Sequence, residues 1–163
     1  MLSENYKIVP VAKEINLGST VYSECINMTN YHEATFMFTL NTLSGASSTL
    51  TVTSGATDGT YTSALYFNYA FGGAALGTAT AGSATSCDVL AAWTNANTLT
   101  LTHGTYSNFM LVVEVDAASM DMANSEEWLT CVFTTTSSVA GTCSGYAILK
   151  PRYQGNRIAT CLA

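Results

Sequence analysis

Residues 48–55, "STLTVTSG", carry the pattern that decides the fold: Leu50 and Val52 fall on one side of an extended chain, and Thr49, Thr51 and Thr53 fall on the other. Strict alternation is the mark of a half-buried β-strand, and threonine adds a β-branched outer face that favours the pleat. Residues 97–104, "NTLTLTHG", repeat the scheme with Leu99 and Leu101. Working outward, "ATFMFTLN" turns Phe36, Phe38 and Leu40 one way. "ALYFNYAF" does so with Leu65, Phe67, Tyr69 and Phe71, "FMLVVEVD" with Phe109, Leu111, Val113 and Val115, and "WLTCVFTTT" with Leu129, Cys131 and Phe133. With "KIVPVA", "VYSECINM" and "GYAILK" at the flanks, about nine strands are expected.

No segment sustains a 3.6-residue apolar period, and Glu, Lys and Arg are scarce. Between the strands lie "SGAS", "TDGT", the Gly/Ala/Thr piece 72–86, "HGTYSN" and "SSVAGTCSG", which supply turn residues at hairpin spacing. The expectation is an all-β fold, an antiparallel β-sandwich of jelly-roll type. It forms a single domain over 1–163, with 151–163 an extended C-terminal arm, since Pro151 ends ladder pairing on its N–H side. "AASMDMANSEEW" has room for one short helical turn.

A chain of 163 residues can bury roughly 70% of its unfolded surface in a core. Apolar residues make up 48% and charged residues only 10%, where about 25% is usual, so the exterior must be largely Thr, Ser, Asn and Ala. Such a surface suits a protein much of which is covered by partners. The longest apolar runs are broken by Glu114, Asn68 and glycines and fall short of a membrane span. The opening carries acidic Glu4 where an export signal has basic residues, which points to maturation in a cytoplasm. Five scattered cysteines, Cys25, Cys87, Cys131, Cys143 and Cys161, fit neither a disulfide framework nor a zinc knuckle and read as reduced. A net charge of −6 disfavours nucleic acid as a partner.

Chemistry finds little support. His32 and His103 belong to no metal or nucleophile motif. Glu114 and Asp116, two apart on one strand, precede Asp121, Glu126 and Glu127, a set of oxygens a hard cation could collect, but no EF-hand spacing is present. Trp93, Trp128 and the nine tyrosines allow a sugar-stacking platform, although most aromatics fall at inward positions. No catalytic residue and no cofactor is expected, and the chain reads as a non-enzyme.

Charge is distributed unevenly. The only basic residues are Lys7, Lys13, Lys150, Arg152 and Arg157, all near the ends, while ten of the eleven acids lie between Lys13 and Lys150. First and last strands of a sandwich often lie close together, so these five, with Tyr153 among them, are candidates for one basic contact patch.

The opening "MLSENYKIVP", then "NMTNYHEATFMF", "LVVEVDAASM" and the closing "AILKPRY" resemble, in that order, a family of small tailed-bacteriophage virion proteins. Its members share a start like M-L-S-E-N-[FY]-K-I-V, a strand entered through "NY", a strand ending in "VEVDA" and a last strand ending in "PRY". The resemblance implies a non-enzymatic decoration or cement protein. It would sit as a homo-oligomer, often a trimer, on the outside of the shell, with the major capsid protein as partner and assembly in the bacterial cytoplasm. A fibre or receptor-binding module, or a carbohydrate-binding sandwich, shares the same composition and remains the alternative.

Overall fold

The structure, a computed structural model, describes residues 5–45, 47–76, 87–135, 140–153 and 159–162. Among them are twelve strands. They are β1 (Lys7–Asn16), β2 (Val21–Tyr22), β3 (Ile26–Asn27), β4 (Tyr31–Leu40), β5 (Ser47–Gly55), β6 (Ser63–Leu65), β7 (Phe67–Phe71), β8 (Thr94–Ala96), β9 (Leu99–Thr102), β10 (Met110–Asp116), β11 (Trp128–Thr135) and β12 (Thr142–Pro151).

They form two antiparallel sheets. The first has the order β1-β12-β4-β10-β7-β8, and the second β2-β11-β5-β6, with β3 also on β11 and β9 also on β5. β2 and β3 share one edge of β11, and β6 and β9 share the outer edge of β5. Counting β2 with β3 as one interrupted lane and setting aside β6 to β8, the sheets read 1-8-3-6 and 2-7-4-5, the strand order of a jelly roll. β6 to β8 are an insertion between the fourth and fifth lanes, with β7 and β8 widening the first sheet.

Twelve strands stand where about nine are expected. "ALYFNYAF" crosses between the sheets at exposed Tyr66, so one alternating run becomes β6 and β7. "VYSECINM" breaks at 23–25. There Ser23 N donates to Cys131 O, and Cys131 N donates to Ser23 Oγ at 3.0 Å, a hydroxyl standing in for the missing ladder carbonyl. β8 is short and mostly exposed, without an apolar period to announce it. The helical piece expected within 117–128 consists of two 3-10 turns, Ala117–Ser119 and Met122–Asn124, and "HGTYSN" contributes a one-turn helix, α1 (His103–Tyr106).

Inward positions of both sheets meet in one core. Phe36, Phe38 and Leu40 of β4 face Leu129, Cys131 and Phe133 of β11, and the rings of Phe38 and Phe133 meet edge to face at 5.3 Å. Gly145 of β12 lies opposite Phe38, where an added Cβ would stand 2.4 Å from the ring, so only glycine lets that ring fill the gap. Between the sheets, Glu24 N donates to Val11 O at 2.8 Å and ties the edge at β1 to the lane of β2 and β3. No helix among the described residues is long and apolar enough to cross a membrane.

Candidate functional site

The register brings distant segments to one end of the first sheet. Lys7 opens β1 opposite Leu149, Pro151 closes β12 opposite Tyr31, and Asp116 closes β10 opposite Glu33. The strands that begin at "NYKIV" and "NYHE" and those that end at "VEVDA" and "KPRY" are therefore neighbours in the order β1-β12-β4-β10, with their motif ends together.

The end is built from local rules. Arg152 N donates to Asn30 O at 2.8 Å and Arg152 Nε to Tyr31 O at 3.2 Å, so the residue that follows β12 is tied to the start of β4. Asp116 caps the first 3-10 turn by accepting from Ala118 N at 2.8 Å. Asp121 does the same for the second turn, accepting from the Asn124 backbone and side-chain amides. His32, Asp116, Met120, Asp121, Met122 and Arg152 line the resulting open cleft of about 490 Å³.

Of the expected basic residues, Lys7, Lys150 and Arg152 share this end, and Tyr153 beside them is 74% exposed. Lys13 does not join them. It lies near the other end of β1, six residues and roughly 20 Å from Lys7, so the five charges do not make one patch; Arg157 falls outside the described residues. Lys150 Nζ stands 3.9 Å from Glu33, an exposed pair of small energetic weight.

The chain after Pro151 does not simply extend away. Residues 159–162 lie back against the body, with Cys161 4% exposed and its carbonyl accepting from Asn27 N at 2.9 Å. Burial, and Cys161 beside it, push the Tyr31 hydroxyl up to about 12. Burial likewise raises the Cys161 thiol, against the opposing pull of Lys7 and of a hydrogen bond from Tyr31.

The acids 114–127 are dispersed. Glu114 and Asp116 share the outer face of β10, where burial and nearby Glu33 push the Glu114 carboxyl up from its ordinary value. Glu127 accepts from Thr29 Oγ1 at 2.8 Å, and Glu126 turns under cover to accept from Ser54 Oγ at 2.6 Å and Ser63 Oγ at 3.1 Å. Among the described residues no three His, Cys, Asp or Glu side chains stand close enough to share a cation.

His103 is buried: Ser44 O lies 2.9 Å from Nδ1 and Ser48 Oγ 2.8 Å from Nε2. A carbonyl only accepts, so Nδ1 carries the proton and the Ser48 hydroxyl donates to Nε2. This is the hydrogen-bond pattern of a nucleophilic serine, but Ser48 is itself buried, so the pair anchors α1 to β5 and gives no substrate access. The alternation of β5 already turns Ser48 and Ser54 inward, a polar intrusion on an apolar face that signals both buried networks. His32 is exposed at the cleft mouth.

The sequence reading also passes over outward residues. Pro10, Tyr146, Met37, Val112 and Ala70 form one cross-strand row on the outer face of the first sheet. On the second sheet Tyr22 and Tyr61 stack at 4.3 Å and are both exposed. Compared with known protein families, curated proteins and solved structures, the chain matches none.

Proposed function

We propose that this chain is a non-enzymatic structural protein of a tailed-bacteriophage virion, a decoration or cement protein that binds the outside of the capsid and stabilises it as a homo-oligomer. One observation carries the reading. The four stretches that resemble such proteins are scattered over the sequence, yet they form four adjacent strands whose motif ends meet at one end of a sheet, three of them lining a single cleft. Residues that recur together and also meet in space are what a shared contact surface requires.

The jelly roll is compatible with this role without implying it. At the cleft end Lys7, Lys150, Arg152 and Tyr153 are the contact residues, offering positive charge on a chain of net charge −6 to an acidic patch of the major capsid protein. The test is co-sedimentation of the purified chain with empty shells. Uptake at a fixed ratio is expected, and Lys7→Ala with Lys150→Ala should weaken it roughly tenfold, two exposed charges contributing up to about 1 kcal/mol each. A chain that stays in the supernatant overturns the proposal.

The stacked, exposed Tyr22 and Tyr61 favour a second reading, a carbohydrate-binding module of a fibre. Quenching of tyrosine fluorescence by host polysaccharide, lost in Tyr61→Ala, would select it.

A further inference from the structure

We infer that residues 159–162 are a strap that clips the two sheets together and opens as a unit of its own, before the sandwich unfolds. The segment is bonded to both sheets. Cys161 O accepts from Asn27 N at 2.9 Å on the edge of β3 that β11 leaves free, whereas the next amide, Met28 N, is given to Glu127 O. The strap therefore adds one rung to the second sheet. Its thiol is hydrogen-bonded to Tyr31 at the start of β4, in the first sheet. Leu162 is half-buried against the core, and Leu162 N donates to Thr160 Oγ1 at 3.3 Å, which turns the segment on itself.

Little else holds it down. The bond to Cys161 O is its one main-chain tie to the body among the described residues, and sulfur is a weak hydrogen-bond partner. Ala159 and Thr160 are exposed, so the apolar grip comes from Cys161 and Leu162 alone. An open hollow lies on each side of the segment. One, of about 350 Å³, is lined by Asn27, Asn30, Tyr31 and Trp128 as well as by the strap. The other, of about 520 Å³, reaches from Leu162 to Pro10, Tyr22 and Glu24. Water flanks the strap on two sides, and its release uncovers little apolar surface. Segments with few buried contacts are where a protein opens locally, at a free energy below that of global unfolding.

Cys131 and Cys143 supply the contrast. Both are 0% exposed, and both sit in ladders with strands on each side, β11 between β2 and β5 and β12 between β1 and β4. A reagent reaches them only when the sheets come apart. Opening the strap exposes the Cys161 thiol, removes the cover from Tyr31 and leaves Asn27 N–H unpaired, so the strap is at once a clip between sheets and the guard of a strand edge.

Thiol labelling of the whole chain with dithiobis(nitrobenzoate) tests this, each labelled cysteine being identified in peptides by mass spectrometry. Half-buried Cys87 should react first. Cys161 should follow more slowly than Cys87, yet at least about a hundredfold faster than Cys131 and Cys143. Low urea should speed Cys131 and Cys143 steeply and leave Cys161 nearly unchanged, because the response to urea scales with the surface an opening exposes. Leu162→Ala should speed Cys161 by roughly fivefold, the effect of losing half a buried leucine, and leave the order of labelling intact. Tyr31→Phe, which keeps the ring and removes the hydroxyl, should also speed it. Labelling of Cys161 in step with Cys131 and Cys143, with the same urea response, makes the segment part of the cooperative core and overturns the inference. Labelling as fast as Cys87, or a Cys161 rate indifferent to Leu162→Ala, overturns the seating of the strap. The inference does not rest on the capsid reading: a chain that ignores shells would remove the proposed function and leave the order of labelling as it stands.

Discussion

The two outer faces of the sandwich descend from the same alternating pattern and could hardly differ more. On the second sheet most outward positions are threonine, Thr49, Thr51 and Thr53 of β5, Thr100 and Thr102 of β9, and Thr134 of β11, with the exposed Tyr22–Tyr61 stack at one side. On the first sheet the corresponding positions hold Pro10, Tyr146, Met37 and Ile148, with acids gathered at one end. Threonine keeps the β-branch that suits a strand and gives water a partner, so it is the economical outward residue when no contact is intended. Exposed Met37 and Ile8 of the first sheet give water no such partner. The difference teaches that sequence period specifies which residues face out, and only their chemistry tells how each face meets water.

The comparison requires that both sheets share one interior. Phe38→Ala and Phe133→Ala, which remove opposite halves of the same ring contact, should each cost about 3–5 kcal/mol by urea denaturation. A large loss from one and none from the other would mean the sheets do not support each other. Next comes Glu126, whose removal strands two hydroxyls under cover. Glu126→Ala should cost about 2–3 kcal/mol, and replacing Ser54 and Ser63 by Ala as well should recover part of that.

A smaller effect follows from Tyr31, whose folded value is raised to about 12 from an ordinary 10. The protonated form is the one the fold accepts, so the contribution of Tyr31 to stability is complete below pH 10 and declines between about 10 and 12 as the unfolded chain ionises first. Melting profiles over that window should be less steep in Tyr31→Phe, keeping the slope that the buried thiols contribute. The smallest effect sharpens the comparison itself: Thr51→Ala and Tyr146→Ser should both shift stability by less than about 0.5 kcal/mol.

How much of this was legible beforehand follows from what a period can encode. Alternation assigned the inward faces of β4, β5, β9, β10 and β11 correctly, because one buried face is all that period two requires. It was blind at Tyr66, since a run that changes sheets keeps its alternation, and at β8, where Thr94 and Asn95 are exposed. Neither register nor proximity is local. The meeting of Lys7, Tyr31, Asp116 and Lys150 became visible only through the pairing of β1, β12, β4 and β10, and Lys13 looked like a partner of Lys7 until strand length set them apart. The return of Cys161 to the body had one hint, an apolar Cys-Leu pair where an exposed arm would be polar.

β12 lies between β1 and β4, so the last of the described strands fills a slot within the first sheet. On a ribosome, therefore, β1 has no ladder partner among the described strands until β12 emerges, and an open lane in a nascent sheet invites mispairing with other chains. The first sheet must wait for β12, and a stop codon before Thr142 should yield aggregate instead of a shorter sandwich.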